Sequence, residues 1–388
     1  MIAIINGKVV TVTGQTFENG TVLIEDGKIK AVGQQIAIPQ DAQVIDAAGC
    51  WVTPGLIDCH THISNFNEPG TLTGSDGNEV TDPLTPQVRA MDAVNPYDYA
   101  ISKVREAGFT TVCILPGSAN VIGGTGIVIK LRDVQSAEEM IIPGTEQMKF
   151  ATGENPKRCY GPDKKSPMTR MGVAAVMRGA LYKAKVYSDR LKAAETDPSK
   201  APEPDFKLDA LVPVVRGEMR CRIHAHRSDD VLTAVRVAEE FHLDYTIEHC
   251  TEGHMIVDAL KRHNVRCTIG PYLWQPYKQE LWNMKMENPA ILANAGVPIS
   301  LTADTGSQTA YLPATLGLLM RRGLSEQSAF EGITINPART LQLEDRVGSL
   351  EEGKDADIAI FDGHPFSSLS ACRMTIIDGK IVHDTLTK

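Results

Sequence analysis

The sequence predicts an α/β protein in which a (β/α)8 TIM barrel carries a small β-sandwich domain built from both chain ends. Two observations in the 388 residues support this prediction. The central part alternates short apolar runs, typical of strands, with helical segments, as an α/β barrel requires. The two ends share a strand–turn–strand pattern instead. An open doubly wound sheet is the alternative fold. The strand candidates of the central part are 55–62, 110–115, 127–131, 146–151, 220–226, 244–249, 265–270 and 297–303.

Helical periodicity separates these strands. In the clearest case, 229–241, the apolar residues Val231, Ala234, Val235 and Ala238 recur on one face. Several helices are followed by glycine, the residue that most easily adopts the left-handed conformation ending a helix. The predicted helices are 98–107, 171–195, 229–241, 253–263, 287–295 and 313–322.

The two ends of the chain resemble one another. The run Ile-Ile-Asn-Gly-Lys-Val-Val at 4–10 is echoed by Ile-Ile-Asp-Gly-Lys-Ile-Val at 376–382, and 23–29 contains a further Asp-Gly pair. Asn-Gly and Asp-Gly between apolar runs favour hairpin turns, because a type I′ turn needs two residues with positive φ. We therefore expect residues 1–52 and 346–388 to form one small β domain, and residues 53–345 to form the barrel.

Composition excludes some classes of partner. The formal net charge is −9, and Lys and Arg form no dense block, so neither nucleic acid nor membrane is expected as a partner. The N-terminal segment becomes polar too early for a secretory signal or a membrane span. The eight cysteines are scattered without a Cys-x-x-Cys pair. Several lie in apolar runs, which favours reduced, buried thiols and a cytoplasmic location.

Metal-type ligands lie at the ends of four predicted strands. His60 and His62 are two residues apart, so on a strand both imidazoles point the same way. Later strands end in Arg-Ile-His-Ala-His at 222–226, Tyr-Thr-Ile-Glu-His at 245–249 and Ile-Ser-Leu-Thr-Ala-Asp at 299–304. Strand ends meet at one face of a barrel, where active sites form. The sequence therefore predicts a metal-dependent hydrolase acting on a small molecule.

Several stretches lie outside the strand–helix alternation. Residues 64–96, rich in Gly, Pro, Asp and Asn, are predicted to form a lid or substrate-contacting loop. Residues 195–209 are predicted to be an exposed connector. Gly-Gly-Thr-Gly at 123–126 lacks the Lys-Ser/Thr of a phosphate loop and is interpreted as a turn near the site. Tyr272 and Trp274 are candidates for an apolar pocket wall or for packing against the lid.

With these motifs, the chain resembles the amidohydrolase superfamily, and within it the imidazolonepropionase-related and prolidase-like enzymes. The resemblance covers nearly the full length of the chain and implies a metal-dependent hydrolase and a homo-oligomer. It does not identify the substrate. Its motifs are Thr-Pro-Gly-Leu-Ile-Asp-Cys-His-Thr-His at 53–62, Asn-Pro-Ala-Arg-Thr-Leu at 336–341 and Gly-Ser-Leu-Glu-Glu-Gly-Lys-Asp-Ala-Asp at 348–357.

The resemblance implies a set of metal ligands. His60 and His62 match the first-strand ligands, His224 the fifth-strand ligand, His249 the sixth-strand ligand and Asp304 the eighth-strand aspartate. In the arrangement with two ions, His60, His62 and Asp304 hold one and His224 and His249 hold the other. Nitrogen and carboxylate donors suit Zn²⁺, with Mn²⁺ and Fe²⁺ as alternatives. A metal-bound water that ionises near neutral pH is then the nucleophile, and Asp304 moves the proton to the leaving nitrogen.

The fourth strand decides how many ions are bound. Lys149 matches a position where many relatives carry a lysine carboxylated by carbon dioxide, whose carbamate bridges two metal ions. Burial favours the neutral amine that this reaction needs. Glu154 is the alternative source of a bridging carboxylate, and a mononuclear site without either residue is the third arrangement.

Residues after the fourth strand are candidates for substrate binding. Arg158, Tyr160 and Arg170 follow Lys149, and an arginine there binds a substrate carboxylate, as a dipeptide or an N-acyl amino acid provides. The alternative is that these charges are solvated and paired with nearby acids. His226 points into the barrel two residues after the fifth-strand histidine and is a candidate for catalysis and for substrate contact.

The sequence is compatible with three functions, which it favours to different degrees. Arg227 stands three residues after His224, where deaminase-type relatives with one metal usually carry a glutamate. Hydrolysis of an amide or cyclic amide is therefore favoured over deamination or imidazolone-type ring opening. A catalytically inactive scaffold of the same fold is the third function, and the presence of every ligand position argues against it.

Overall fold

The computed structural model describes residues 1–273 and 275–387, in two eight-stranded sheets. In the central sheet the order is β13-β12-β11-β10-β9-β8-β7-β6. The sheet nearly closes on itself, since Thr302 Oγ1, just after β13, donates a 2.7 Å hydrogen bond to the His60 carbonyl in β6. Its strands are β6 (Leu56–Thr61), β7 (Phe109–Ile114), β8 (Ile122–Lys130), β9 (Gln147–Ala151), β10 (Cys221–Ala225), β11 (Tyr245–His249), β12 (Cys267–Ile269) and β13 (Ile299–Leu301).

The prediction of a regular (β/α)8 barrel is wrong at β8. This strand runs antiparallel to both β7 and β9, whereas the other neighbouring pairs are parallel. The connections on either side of β8 contain no helix. The Gly-Gly-Thr-Gly run at 123–126, interpreted as a turn, belongs to this strand. The structure is thus an α/β barrel with one reversed strand.

Ten α-helices are described, and those expected from periodicity are among them. Gly108, Gly296 and Gly323 have positive φ after three of the helices, as predicted. A helix that the sequence analysis did not predict begins at Phe206, where the side chain of Asp205 accepts hydrogen bonds from the first backbone N–H groups. The helices are α1 (Tyr99–Glu106), α2 (Glu154–Tyr160), α3 (Arg170–Ala194), α4 (Phe206–Val215), α5 (Ser228–Glu240), α6 (Val257–Arg262), α7 (Asn288–Asn294), α8 (Leu312–Met320), α9 (Glu326–Gly332) and α10 (Ile335–Thr340).

Both ends of the chain contribute to the second sheet, as predicted. Its strands form one sheet branched at β1, which pairs with β2, β4 and β5, rather than two separate sheets. The domain boundaries at 52 and 346 stay a prediction, and β5 continues this sheet to Pro54. The strands are β1 (Ile2–Val10), β2 (Thr16–Glu25), β3 (Lys28–Gly33), β4 (Gln43–Asp46), β5 (Trp51–Pro54), β14 (Ile358–Phe361), β15 (Cys372–Ile377) and β16 (Lys380–Asp384).

Two of the three predicted hairpin turns are confirmed. Asp26-Gly27 joins β2 to β3 and Asp378-Gly379 joins β15 to β16, each pair with positive φ. Asn6-Gly7 is instead an irregularity inside β1, where the register with β2 shifts. The local pattern was the same in all three, so pairing with distant strands decided the outcome.

A cluster of charges joins the two sheets. Lys130, fully buried at the end of β8, donates to Asp355 Oδ2 at 2.7 Å and to Asp357 Oδ1 at 3.1 Å, and it also contacts Asp378. These three carboxylates belong to the C-terminal part of the chain. The site described below therefore lies in a barrel that is firmly connected to the second sheet.

Two expectations from composition are tested by the structure. Among the described residues, no helix is both long and apolar enough to cross a membrane. The cysteines form no disulfide, and Cys59, Cys113, Cys221 and Cys267 are buried, as expected.

Candidate metal centre

The predicted ligands lie at one rim of the barrel. His60 is in β6 and His62 follows that strand, while His224 and His249 are in the last two residues of β10 and β11. Asp304 follows β13 by three residues. Because these strands are parallel, their carboxyl ends meet, and residues more than 240 positions apart become neighbours.

The first ligand cluster consists of His60, His62 and Asp304, whose ligand atoms lie within 4.8 Å of one another. Asp304 Oδ1 is 3.3 Å from His60 Nε2 and 3.5 Å from His62 Nε2. Burial lowers the pKa of His62 to about 3. Burial alone would raise the pKa of Asp304, but the neighbouring imidazoles, above all His249, hold it well below its ordinary value. An ionised carboxylate thus faces an uncharged imidazole at neutral pH.

The second cluster consists of His224, His226 and His249, again within 4.8 Å. The ring centre of His249 is 4.5 Å from that of His224 and 4.6 Å from that of His226. Burial lowers the pKa of His249 to about 4 and holds the pKa values of the other two well below the ordinary value. Neutral imidazoles offer the lone pairs that a metal ion needs. The structure therefore brings His226, predicted as a catalytic or substrate contact, next to two predicted ligands.

Hydrogen bonds orient most of these imidazoles. A ring whose Nδ1–H donates to an oxygen keeps the Nε2 lone pair for a metal ion. The Nδ1 of His224 differs, because it is buried without a hydrogen-bond partner among the described residues. The Nδ1 contacts are His60 with Glu248 Oε2 at 2.6 Å, His62 with the Leu115 carbonyl at 2.7 Å, His226 with Thr251 Oγ1 at 2.7 Å and His249 with the Gly270 carbonyl at 2.8 Å.

Glu248 is a residue that the sequence analysis missed. Its fully buried carboxylate accepts hydrogen bonds from Arg222 Nε at 2.7 Å and from Arg222 Nη2 at 2.8 Å, in addition to its contact with His60. Consecutive strand residues normally face opposite sides, yet both Glu248 and His249 reach the site. The chain leaves the extended conformation at His249, whose φ is +70°. The alternation rule thus fails at the strand end, and only the Glu-His sequence itself hinted at a second functional residue.

Lys149 joins the first cluster. Its Nζ is 3.2 Å from His60 Nε2, and burial lowers the pKa of Lys149 to about 8. Glu154 does not join either cluster. It begins α2, and its Oε2 accepts a 3.3 Å hydrogen bond from the Glu280 backbone N–H. The geometry favours Lys149 over Glu154 as the fourth-strand residue of the site.

Two further charged residues of the site were not predicted. Lys278 and Glu280 lie between β12 and α7, with side chains 4% and 0% exposed and a 2.6 Å ion pair between Nζ and Oε1. Glu280 Oε1 is 3.7 Å from His224 Nε2 and 3.6 Å from His226 Nε2. No strand end or local period marks these residues in the sequence, so only the folded chain reveals them.

The clusters face a narrow cavity of about 90 Å³, bordered by His62, His224, His249 and Asp304 together with Lys278. A wider pocket of about 770 Å³ lies outside it, and Tyr277 and Lys278 border both. Tyr272 is buried and donates to the Ile269 carbonyl at 2.6 Å. Trp274, the other aromatic residue predicted here, lies outside the described residues.

The predicted substrate-binding residues are not brought together. Arg158 borders a separate pocket next to His62 and is exposed. Tyr160 is buried and its hydroxyl donates to the Asp82 carbonyl at 3.0 Å. Arg170 Nε donates to both oxygens of Asp230, at 3.0 and 2.9 Å. Arg158 is thus the only one of the three whose side chain has no hydrogen-bond or ion-pair partner among the described residues.

The residues present fit a divalent metal ion. Asp304 Oδ1 is buried and receives no hydrogen bond from the described residues, although two imidazole Nε2 atoms lie within 3.5 Å. A buried carboxylate oxygen without a donor is costly. A cation between these atoms would satisfy the oxygen and both lone pairs, with the nitrogen and oxygen donors that Zn²⁺ prefers.

Comparison with known proteins identifies the family of the chain. Residues 51–382 match the model of the Amidohydrolase family. Amidohydrolase tasK of Hapsidospora irregularis is 29% identical over 395 residues, which is 94% of this chain and 40% of tasK, so the chain spans less than half of that relative. Imidazolonepropionase of Brevibacillus brevis is 25% identical, over 91% of this chain and 86% of that enzyme.

A solved structure is similar over the whole chain. The crystal structure of an amidohydrolase from Thermotoga maritima MSB8 superimposes with a TM-score of 0.94 at 41% identity, covering 99% of this chain and 100% of that one. From its sequence, its fold and the arrangement of its histidines, the chain belongs to the amidohydrolase family.

Proposed function

We propose that the protein hydrolyses an amide or cyclic amide C–N bond of a small molecule with a bound divalent metal ion, Zn²⁺ being the ion that the donors suit best. One observation carries this proposal. Two clusters of largely buried imidazoles meet at the carboxylate of Asp304 beside one cavity. Membership of a family of hydrolases supports the reaction type.

The ligands divide between two ions. His60, His62 and Asp304 would hold one, and His224 and His249 the other. Zn²⁺ bound there supplies a water of lowered pKa and polarises the carbonyl of the amide. The Glu248 carboxylate keeps the His60 ring in the tautomer that binds through Nε2.

Asp304 is the proton carrier of the proposed reaction. Its pKa lies well below the ordinary value, so the carboxylate is ionised at neutral pH, and its side chain borders the cavity. It accepts a proton from the attacking water and donates it to the leaving nitrogen when the C–N bond breaks. The products are a carboxylic acid and an amine.

Lys149 is proposed as the bridge between the two ligand sets. Lys149 is buried beside His60, and its Nζ lies within ion-pair distance of no carboxylate of the described residues; an ammonium group there would repel a metal ion. Addition of carbon dioxide to the neutral amine forms a carbamate and releases a proton, so the repelling charge becomes a ligand.

The metal proposal is tested on zinc-reconstituted protein. We expect about two zinc ions per wild-type chain, at most one in Lys149→Met, and a carbamate carbon signal with ¹³C-bicarbonate that the wild type shows and Lys149→Met lacks. Lys165→Met, which changes an exposed lysine, is the matched control. Less than a tenth of an equivalent of zinc in the wild type would support the inactive scaffold instead.

The reaction is tested with a panel of dipeptides and N-acetyl amino acids, each also supplied as its carboxamide, and a set of cyclic amides. We expect an amine and a new carboxylate in equal amounts, and a loss of at least about 10³-fold in kcat for Asp304→Asn. Hydrolysis of none of these compounds by fully zinc-loaded protein would contradict the proposal.

Deamination is the competing reaction. Arg227 occupies the position where a deaminase was expected to carry a glutamate. Its side chain donates two hydrogen bonds of 2.9 Å to Asp229. Glu280 lies near His224, but its carboxylate is paired with Lys278, and its interactions with His226 and Lys278 overcome its burial and lower its pKa. Release of ammonia without a new carboxylate would identify a deaminase.

A further inference from the structure

The segment between β12 and α7 carries a buried ammonium group to the wall of the metal cavity. Lys278 Nζ lies 2.6 Å from Glu280 Oε1, and neither side chain is more than 4% exposed. A buried ion pair contributes little net stability, because desolvation offsets the attraction between the charges. Its position beside His224 and His226 therefore calls for a functional explanation.

Glu280 is fixed to the barrel rather than free to move with the loop. Its Oε2 accepts a 2.9 Å hydrogen bond from the Glu154 backbone N–H, and its own backbone N–H donates to Glu154 Oε2. Gly153 makes room for it, since a Cβ there would be 2.7 Å from Glu280 Oε2. The carboxylate thus holds Lys278 in one place.

The other two contacts of Lys278 are to neutral acceptors. Nζ donates to His226 Nε2 at 3.2 Å and to Asn155 Oδ1 at 3.3 Å. A hydrogen bond between two charged groups is about twice as strong as one to a neutral acceptor. A substrate carboxylate that enters the cavity can therefore replace the Asn155 amide oxygen as an acceptor for Lys278 and form a stronger hydrogen bond. Glu280 and His226 keep their contacts with Lys278.

Location supports the same role. Lys278 borders both the narrow cavity at the histidines and the wider outer pocket. A cavity of about 90 Å³ holds only the reacting part of a substrate, so the remainder passes Lys278 on its way outward. Arg170 is bound to Asp230, and Arg158 is exposed to water, which weakens its attraction for an anion.

We propose that Lys278 binds a carboxylate of the substrate and so selects amides that carry a carboxylate close to the scissile bond, the class of N-acyl amino acids and dipeptides. This rests on the proposed amide hydrolysis. Glu280 is the positioning residue that keeps the ammonium group in place.

The test compares Lys278→Gln with wild type on a compound of the panel and on its carboxamide. We expect KM for the carboxylate to rise at least about 100-fold, kcat to change less than about threefold, and KM for the carboxamide to stay within about threefold. Lys278→Arg should recover part of the loss. Lys285→Gln, at an exposed lysine in the same segment, is the matched control.

Two measurements guard against a simple folding defect. The double variant Lys278→Gln/Glu280→Gln leaves no unpaired charge and should show the same KM shift with an unchanged melting temperature. Calorimetry of N-acetyl-L-leucine binding to zinc-loaded protein gives a readout that needs no turnover.

Failure of this proposal and failure of the proposed function are distinguishable. Equal KM shifts for carboxylate and carboxamide, or a selective shift in Arg158→Gln instead, would overturn the role of Lys278 and leave amide hydrolysis intact. If the wild type hydrolyses no compound of the panel, the proposed function fails. Calorimetry then tests the role of Lys278 by itself. Equal affinity of the wild type and Lys278→Gln for N-acetyl-L-leucine would overturn that role.

Discussion

At the scale of single residues, Glu248 connects the barrel interior to the candidate metal centre. Its carboxylate contacts both the Arg222 guanidinium and His60 Nδ1, and all three side chains are fully buried. The attraction of Arg222 overcomes burial and holds the pKa of Glu248 well below its ordinary value. An ionised acceptor at this nitrogen makes the opposite nitrogen of the ring a better metal ligand.

We predict that Glu248→Gln weakens zinc binding by roughly 10–100-fold, because the neutral amide is a weaker acceptor for the His60 ring. Competition with a chromogenic chelator measures the affinity. Glu239→Gln is the matched control, since Glu239 contacts His263 Nδ1 at the same 2.6 Å but at the surface. Equal zinc affinity in all three proteins would refute the role given to Glu248.

Arg222 complicates that experiment. Without Glu248 its guanidinium is buried beside neutral acceptors alone, and such an unpaired charge destabilises a protein by about 3–5 kcal/mol. The double variant Arg222→Met/Glu248→Gln removes both charges. We expect it to be more stable than Glu248→Gln, by thermal unfolding, while its zinc affinity stays low. Recovery of affinity together with stability would mean that Glu248 acts only through folding.

At the scale of elements, the reversed strand β8 depends on glycine. Gly124 has φ +118°, and the next residue donates its backbone N–H to the Val88 carbonyl at 2.7 Å. A Cβ at Gly124 would lie 2.3 Å from that carbonyl oxygen. The 64–96 connection, predicted as a lid or substrate-contacting loop, is thereby attached to the barrel along β8, and Phe66 from the same connection contacts the His62 ring edge-on at 5.5 Å.

We predict that Gly124→Ala lowers the free energy of unfolding by roughly 1–3 kcal/mol more than Gly144→Ala does, because only the Gly124 variant places a methyl group against another atom. Gly144 also has positive φ, at +77°, but a Cβ there meets nothing within 4 Å. Thermal unfolding of the two variants measures the difference. Equal losses would show that backbone conformation alone makes glycine necessary in β8.

At the scale of the whole molecule, the Lys130 cluster joins the barrel to the second sheet and gives the junction a dependence on pH. Burial alone would raise the pKa of Asp355, but hydrogen bonds from Lys130 and Lys28 lower it from 3.8 to about 2. Asp357 shifts the other way, because burial outweighs its contact with Lys130 and raises its pKa. Asp378 behaves like Asp355, because its contacts with Lys130 overcome burial and lower its pKa. Asp355 and Asp378 are therefore the residues whose ionisation stabilises the junction.

A carboxylate with a lowered pKa stabilises the folded state above its ordinary pKa and loses this contribution as pH falls through the lowered value. We predict that Asp355→Asn melts below wild type at pH 6, and that the difference shrinks between pH 4 and pH 2. Asp92→Asn, which removes an exposed carboxylate bound to Arg89, should show no such trend. A difference independent of pH would contradict the assignment.

The proposed metal ligands come from five strands of the barrel, so removal of the ions should affect the entire fold. An ion that binds only the folded state stabilises it by about 2.7 kcal/mol at one hundred times its dissociation constant. We predict that chelation lowers the melting temperature by several degrees and that added Zn²⁺ restores it. An unchanged melting curve in protein shown to lose its zinc would contradict the placement of the ions. A homo-oligomer and a cytoplasmic location stay predictions.

The sequence by itself determined the elements and the residues at their ends. Apolar runs and helical periods are local, so the helix at 229–241 and the strands from 55–62 to 297–303 could be predicted within a few residues, except that β8 begins five residues before its predicted start. The His-x-His motif is local in the same way, because residues two apart on a strand lie on the same face. Membership of the amidohydrolase family follows from such local motifs.

Only the tertiary structure decided the direction of β8, the contact of Glu248 with His60 and the place of Lys278 and Glu280 at the cavity. Each depends on partners that are far away in the chain: β8 lies between two strands, Glu248 is 188 residues from His60, and Glu280 is 126 residues from Glu154. Neighbouring groups then overcome burial and lower the pKa values of Glu248 and Glu280. No local pattern encodes such contacts, because they arise only when the barrel closes.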